Sequence, residues 1–442
     1  MKGIRIDTRD LYSERVKGGV EVGDPLWVKG QRAYWELQTR RNRGDLPFLD
    51  LPYSREMDEV LRNSRDLAGA FDPVVILGIG GSCLGPQAIA HVLFHPWMFL
   101  QGKAGLRGPR VFFLDNVDPG TCREALESSK EGNPLVVAIS KSGVTVETLS
   151  QLMVFLKMLK DRFSDWRDRL LIITDPERGP MRELAEREGL RSYPIPGGVP
   201  GRYSVLSAVG IVPSQVLGIE GEELLLGAVD MDREIRKQDG RPALETALAL
   251  YLLHKRGGKG IWVTLCYGDS LIKLGEWRAQ LIGESLGKRP DMAPTPVTAR
   301  GTTDQHSQLQ LWLDGPRDKA FTVLSMQGHP ALQIPDGDIE GEEADALKGK
   351  ELGQVLRAEM VATKGVLRER GCPFYSIEIE PSPRSLGALF FLWQVETLLL
   401  GTLYGVNPLD QPAVERGKRL TWGFLGRKGF EREREEVEAW ER

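Results

Sequence analysis

Short apolar runs, separated by segments with helical periodicity, recur along the first half of the chain. The runs are four or five residues long and almost wholly apolar, which is typical of strands buried on both faces. The segments between them carry apolar residues three and four positions apart, as amphipathic helices do. This alternation predicts parallel strands joined by crossover helices. We expect the strands of a first parallel sheet at 74–78, 111–114, 136–139 and 170–174.

A second series of the same kind follows a long helical stretch at 222–256. Its strands are expected at 261–265, 321–324 and 374–378, and its helices at 271–286, 352–368 and 386–404. The chain is therefore predicted to be an α/β protein with two sheet domains. We expect a helical N-terminal segment at 1–50, a first domain at 51–220, a second at 221–405 and a C-terminal helical arm at 406–442.

The segment 386–406 is apolar enough to resemble a membrane span, but it carries Gln394 and Glu396 near its centre. A carboxylate in the middle of a bilayer is costly and needs a partner or a functional reason. We therefore predict a buried helix in the core of a soluble protein.

Composition narrows the classes of partner. The net charge of −4 gives no basic excess, so neither nucleic acid nor an anionic membrane is expected as the main partner. Four well-separated cysteines without a CxxC pair, and an N-terminus without a signal-peptide core, favour a reduced cytoplasmic protein. His91 and His95 share a helix face without further ligands, so we interpret them as structural, and no metal signature is present.

The segment 136–147, VVAISKSGVTVE, has the strongest chemical pattern. Its polar residues stand between the carboxyl end of a predicted strand and the start of a predicted helix, where free N–H groups and the helix dipole favour an anion. Hydroxyls and an ammonium group suit phosphate oxygens. An ordinary Ser/Thr helix cap with a turn glycine explains the pattern equally well. The candidate phosphate ligands are Ser140, Lys141, Ser142 and Thr145.

A glycine-rich turn, LGIGGSCLGP at 77–86, follows the first predicted strand. Gly81 would allow a backbone to approach a ligand closely, and Ser82 would place a hydroxyl at a helix start. The spacing is not GxGxxG and no acidic residue ends the next strand cleanly, so a dinucleotide-binding dehydrogenase is disfavoured. A tight strand-to-helix turn without function remains an alternative.

Four further polar segments stand out, although each alone could be a surface loop or a helix end. In GESLGK, an ordinary i,i+4 ion pair between Glu284 and Lys288 is expected. The others are GRYSVLSAVG with Arg202, TDQHSQ with His306, and DQPAVERGK with Gln411 and Lys418.

Taken in order, these segments resemble the phosphoglucose isomerase family over about residues 77–418. The resemblance implies two sugar isomerase (SIS) domains, each a parallel sheet flanked by helices. It also implies reversible isomerisation of glucose 6-phosphate and fructose 6-phosphate through a cis-enediol(ate), a step of glycolysis and gluconeogenesis. The family needs no metal or other cofactor, and its members are usually homodimers.

The resemblance further implies a role for each candidate residue. Glu284 would move the proton between C1 and C2, Arg202 would face the enediolate, and Lys418 would serve ring opening together with His306 of the neighbouring subunit. Glu284 should be ionised and free of a strong salt bridge in order to act as a base. Ser140, Lys141, Ser142 and Thr145 would bind phosphate; Gly81, Ser82, Gln280 and Gln411 would contact the substrate; and Glu147 would lie behind the histidine.

Two related functions remain open. A dual phosphoglucose/phosphomannose isomerase would use the same enediol chemistry. A phosphosugar-sensing SIS protein would need the phosphate loop but not Glu284, His306 and Lys418 together, and no helix-turn-helix segment is evident.

Overall fold

Two five-stranded sheets surrounded by helices form the protein. The structure, a computed structural model, describes residues 3–21, 23, 26–94, 108–337 and 339–441, so His95 lies outside the described residues. The strands are β1 Ile4–Asp7, β2 Val74–Leu77, β3 Val111–Leu114, β4 Leu135–Ser140, β5 Leu170–Thr174, β6 Ser192–Pro194, β7 Ile261–Tyr267, β8 Thr295–Gly301, β9 Lys319–Met326 and β10 Phe374–Ile379. The α-helices are Leu26–Asn42, Arg55–Ser64, Leu84–Leu93, Pro119–Ser128, Val146–Arg162, Pro180–Glu188, Ala208–Val216, Gly221–Lys237, Ala243–Lys255, Ile272–Leu286, Thr303–Asp314, Glu342–Leu347, Leu352–Glu369, Pro383–Tyr404, Ala413–Phe424 and Glu431–Trp440.

The first sheet has the order β3-β2-β4-β5-β6 and is parallel throughout. The four strands predicted from apolar runs are confirmed. Only β6 was missed, because it has three residues and lies in a passage rich in Pro and Gly. Since β2 and β4 are neighbours, the glycine turn and the hydroxyl-rich loop that follow them lie at the same edge of the sheet.

The second sheet has the order β1-β10-β9-β7-β8, in which only β1 is antiparallel to its neighbour. The predicted helical segment 1–50 is helical over Leu26–Asn42, but its first described residues instead form β1 at the edge of this sheet. The other edge strand, β8, was also not predicted. Edge strands bury less of their surface and can carry polar residues. The sequence of β8, TPVTARG, therefore has no continuous apolar run that would predict a strand.

Four parallel strands have the same order in both sheets, β3-β2-β4-β5 in the first and β8-β7-β9-β10 in the second. In the first, β4 lies between β2 and β5; in the second, β9 lies between β7 and β10. A short 3-10 turn follows the first parallel strand of each sheet, at Gly80–Ser82 and at Asp269–Leu271.

The helix Pro383–Tyr404 is the central core helix, as predicted. By length and composition it could cross a membrane, but 94% of its most apolar window is buried within the protein. Glu396 within it pairs with the equally buried Arg278 at 2.9 Å, which explains the carboxylate in an apolar sequence. Gln394 donates to the backbone carbonyl of Tyr203 at 3.1 Å, so this helix also supports the turn that carries Arg202.

Candidate active site

Arg202 is the centre of the candidate site. Its side chain is only 1% exposed, and it lies in the 3-10 turn Gly201–Leu206. A guanidinium has five N–H donors, and here each has its own oxygen acceptor. The acceptors are Ser285 Oγ at 2.8 Å, Glu284 Oε2 at 3.0 Å, Gln411 Oε1 at 2.9 Å, the Pro408 carbonyl at 2.5 Å and the Asp410 carbonyl at 2.9 Å. These bonds fix the guanidinium plane and join three distant parts of the chain.

The Glu284 carboxylate is held on one side and open on the other. Gln280, one helical turn earlier, donates to Oε1 at 2.7 Å, while Arg202 donates to Oε2. The side chain is nevertheless 33% exposed, so a ligand can reach it. The expectation that Glu284 is free of a strong salt bridge is wrong, because the Arg202 pair fixes one of its oxygens.

The glycine turn after β2 packs directly against this pair. A Cβ added to Gly81 would lie 2.2 Å from the carbonyl carbon and oxygen of Gly201 and 2.6 Å from the Arg202 amide nitrogen. Gly80 has a φ of +55°, and a Cβ there would lie 2.8 Å from Nε2 of Gln280. Ser82 ends the turn and is half-buried. The turn therefore does more than connect a strand to a helix, since its glycines allow the turn that carries Arg202 and the helix that carries Gln280 to come close.

The loop after β4 gathers three hydroxyls at the start of the helix Val146–Arg162. The Thr145 hydroxyl lies 2.9 Å from that of Ser140 and 3.5 Å from that of Ser142. Although Thr145 occupies the N-cap position, its side chain makes no capping hydrogen bond. The alternative of an ordinary helix cap is therefore not met. The first amide groups of the helix therefore have no side-chain cap. An anion site at a helix N-terminus requires such free amide groups.

Lys141 adds positive charge beside these hydroxyls. Burial lowers the pKa of its ammonium group, and the nearby charge of Arg202 lowers it further, whereas Asp175 opposes the shift. An anion at this place would favour the protonated lysine, so anion binding and lysine protonation support each other.

Sequence reasoning missed the residues that hold the site together. Lys288 is expected to pair with the Glu284 carboxylate, but its ammonium instead donates to the Glu284 backbone carbonyl at 2.7 Å and pairs with Asp410 Oδ1 at 3.1 Å. Its side chain is only 11% exposed. Ser285, which is fully buried, accepts from Arg202 and lies 3.1 Å from the Tyr203 hydroxyl. The only sequence signal was the position of Lys288 one helical turn after Glu284.

Three predicted site residues are not joined to this cluster. His306 is exposed at the start of the helix Thr303–Asp314 that follows β8. Lys418 pairs at 2.7 Å with Glu415, and both side chains are more than half exposed. Glu147 is half-buried in the first turn of its helix. In the described part of the chain, no hydrogen bond or ion pair links any of the three predicted residues to Arg202 or Glu284.

The described residues also contain no group of three or more His, Cys, Asp or Glu side chains placed to hold a metal ion.

Comparison with known proteins gives consistent matches. Residues 64–317 match the family model for phosphoglucose isomerase. A glucose-6-phosphate isomerase of Carboxydothermus hydrogenoformans is 36% identical, over 98% of this chain and 97% of that protein. One of Thermus thermophilus is 38% identical, over 95% and 98%. The crystal structure of a hypothetical protein from Thermus thermophilus has a TM-score of 0.82 and 36% identity, covering 96% of this chain and all of that one.

Proposed function

Because the chain belongs to the phosphoglucose isomerase family, we propose that it interconverts glucose 6-phosphate and fructose 6-phosphate. One observation carries the proposal: a partly exposed carboxylate, Glu284, is bonded to a fully buried arginine, with a lysine and three hydroxyls nearby. This set combines a base, a group that stabilises an oxyanion and a phosphate site.

The proton transfer is assigned to Glu284 and Arg202. Glu284 removes the C2 proton of the open-chain aldose and returns it to C1, which yields the ketose. The intermediate is an enediolate whose oxygen gains negative charge. In the structure, Nη1 of Arg202 donates a hydrogen bond to Glu284. During the reaction the same N–H group would donate to the enediolate oxygen and stabilise its charge. The four other hydrogen bonds keep the guanidinium oriented during this exchange.

The phosphate group is assigned to the hydroxyl loop. Ser140, Ser142 and Thr145 would donate to phosphate oxygens, and Lys141 would supply the countercharge. Gly81, Ser82, Gln280 and Gln411 are proposed as further substrate contacts. Binding energy from the phosphate, which does not react, would hold C1 and C2 against Glu284.

Ring opening is assigned to Lys418 and to His306 of the neighbouring subunit in a homodimer, with Glu147 behind that histidine. The exposure of His306, and its separation from the Glu284 cluster of its own chain, support a role across an interface. Mixing inactive Glu284→Gln subunits with inactive His306→Ala subunits should restore some activity. If subunit exchange is verified and no activity returns, His306 does not act across the interface.

We also propose that the two sheets belong to two SIS domains, at 51–220 and 221–405, and that the protein works in the cytoplasm. Limited proteolysis that cuts near 214–241 and leaves two stable fragments would support this boundary.

The test of the proposed function is a coupled assay without added metal. Fructose 6-phosphate is supplied, and glucose 6-phosphate is detected through its dehydrogenase. Glu284→Gln should abolish turnover and leave sugar phosphate binding largely intact. Glu276→Gln is the matched control, because this carboxylate lies on the same helix, is 39% exposed and, among the described residues, pairs only with Lys273. No turnover by the unmodified protein, with measurable binding, would favour a sensor; equal loss in both variants would refute the role of Glu284.

A further inference from the structure

A cavity lies at the carboxyl edge of the second sheet, beyond the strand that corresponds to β4 of the first sheet. The hydroxyl loop follows β4, and this cavity lies beyond β9, which has the same position in its own sheet. The cavity has a volume of about 120 Å³. Its lining includes Tyr267, Ser325, His329, Arg357, Met360 and Glu378. In open parallel sheets ligands bind at this edge.

Ser325 is the observation that points to a ligand. It stands next to last in β9 and is 7% exposed, and its hydroxyl makes no hydrogen bond with any described residue. Buried hydroxyls are normally hydrogen-bonded, so an unpartnered one that lines a cavity marks a place for a polar ligand. Ser140, which ends β4 in the first sheet, differs from Ser325 because its hydroxyl lies 2.9 Å from that of Thr145.

The charges around Ser325 favour an anion. Arg357 is 68% exposed and therefore available to a ligand, while His329 is half-buried beside it. The only carboxylate in the lining, Glu378, is already neutralised by Arg5 at 2.8 Å and lies 3.8 Å from Arg357. The helix Leu352–Glu369 starts at the cavity but is capped by Glu351, so the side chains rather than the helix end would bind the ligand.

The helix Leu352–Glu369 approaches His329 closely, and this contact shapes one wall of the cavity. A Cβ added to Gly353 would lie 3.0 Å from Cβ of His329, so only glycine lets the histidine pack there without a shift. A cavity of about 120 Å³ is too small for a whole sugar phosphate, but it has room for one charged group.

We propose that this cavity is a second binding site, which takes the phosphate group of a small phosphate monoester. Ser325 and His329 hydrogen-bond the phosphate oxygens, and Arg357 supplies the countercharge. The rest of the ligand extends toward solvent. The site is separate from the one that contains Glu284, and the proposal does not depend on the proposed isomerase activity.

The test uses methionine methyl NMR on the full-length protein. Met326 and Met360 line the cavity and report on it directly, and Met→Leu variants assign their signals. Inorganic phosphate and fructose 6-phosphate are titrated separately, each in a Ser140→Ala, Thr145→Ala background that weakens the proposed first phosphate site. We expect a saturable shift of both signals with fructose 6-phosphate, and an affinity about tenfold lower in Arg357→Gln, which loses one charge-assisted hydrogen bond.

Each outcome decides the proposal. Arg357 is exposed, so Arg357→Gln should fold normally, and Ser325→Ala should also weaken binding without affecting Arg357. No shift at millimolar ligand, or a shift that Arg357→Gln leaves unchanged, would overturn the second site. A shift seen only when Ser140 and Thr145 are intact would mean that the effect comes from the first site. Binding of inorganic phosphate alone would overturn the assignment of a monoester.

Discussion

Replacing Arg202 with lysine separates the structural role of this residue from the catalytic role that we propose for it. The arginine uses five N–H groups on five acceptors, whereas a lysine ammonium has three donors and no planar geometry. At least two of the acceptors must therefore lose their partner. Two are partly protected, because the Asp410 carbonyl also accepts from Lys288, and Ser285 also contacts Tyr203.

The cost to stability follows from these counts. A hydrogen bond from a charged donor contributes about 1.5–3 kcal/mol, so the loss of two costs about 3–6 kcal/mol when neither acceptor has another partner. The protected acceptors reduce this, and we expect R202K to lower the free energy of unfolding by about 2–4 kcal/mol. The effect on catalysis should be larger, because the loss of one oxyanion donor typically lowers kcat about 10²–10³-fold.

The assay needs a control arginine that is equally buried and has a similar number of hydrogen bonds. Arg278 is such a residue: it is 2% exposed and donates to Thr264, Thr322, Tyr375 and Glu396, away from the Glu284 carboxylate. R278K should lower stability by a similar amount. Urea midpoints from circular dichroism give stability, and kcat is measured without urea at a temperature where both variants remain folded.

We expect the R278K variant to keep most of its kcat, while R202K loses it. If both variants lose stability equally and both keep kcat, Arg202 is only a structural residue and its catalytic assignment fails. If R202K is as stable as the unmodified protein, the five hydrogen bonds do not contribute as argued.

Three further outcomes are expected. Ser140→Ala with Thr145→Ala should raise KM about tenfold or more with little change in kcat, and an unchanged KM would contradict the phosphate assignment. Burial lowers the pKa of Lys141, and phosphate binds its protonated form. KM should therefore begin to rise at a pH below the ordinary lysine pKa of about 10.4. This rise should vanish in Lys141→Met, whose KM is high at every pH. Lys288→Met removes the ion pair with Asp410, so it should loosen the loop that carries Gln411 and raise KM. Lys288→Arg should partly restore KM. An unaltered KM in Lys288→Met would show that this ion pair does not position the loop.

The sequence predicts the interior strands because they are buried on both faces, and each is therefore continuously apolar. It does not predict β1 and β8, because edge strands tolerate polar residues. The same contrast holds in the site. Ser140 and Glu284 lie in recognisable motifs, whereas the carbonyl groups of Pro408 and Asp410 reach Arg202 across more than 200 positions of sequence, and backbone carbonyls have no residue signature. Lys288 was assigned the wrong partner because spacing along a helix favours the near carboxylate, while the folded loop brings Asp410 closer.

The ion pair between Glu284 and Arg202 conflicts with a simple picture of a free base, yet charge balance shows why it suits the reaction. In the proposed mechanism, the Glu284 carboxylate loses its negative charge when it accepts the proton, at the moment when the substrate oxygen becomes negative. Nη1 of Arg202, which lies 3.0 Å from Glu284 Oε2, can transfer its hydrogen bond from that carboxylate oxygen to the substrate oxygen. Arg202 therefore faces one negative oxygen before and after proton transfer, and no uncompensated charge forms in a site where the guanidinium is 1% exposed. The proposed contact between Arg202 and the substrate oxygen strengthens as the enediolate develops, and an interaction that is stronger in the transition state than in the ground state is what accelerates a reaction.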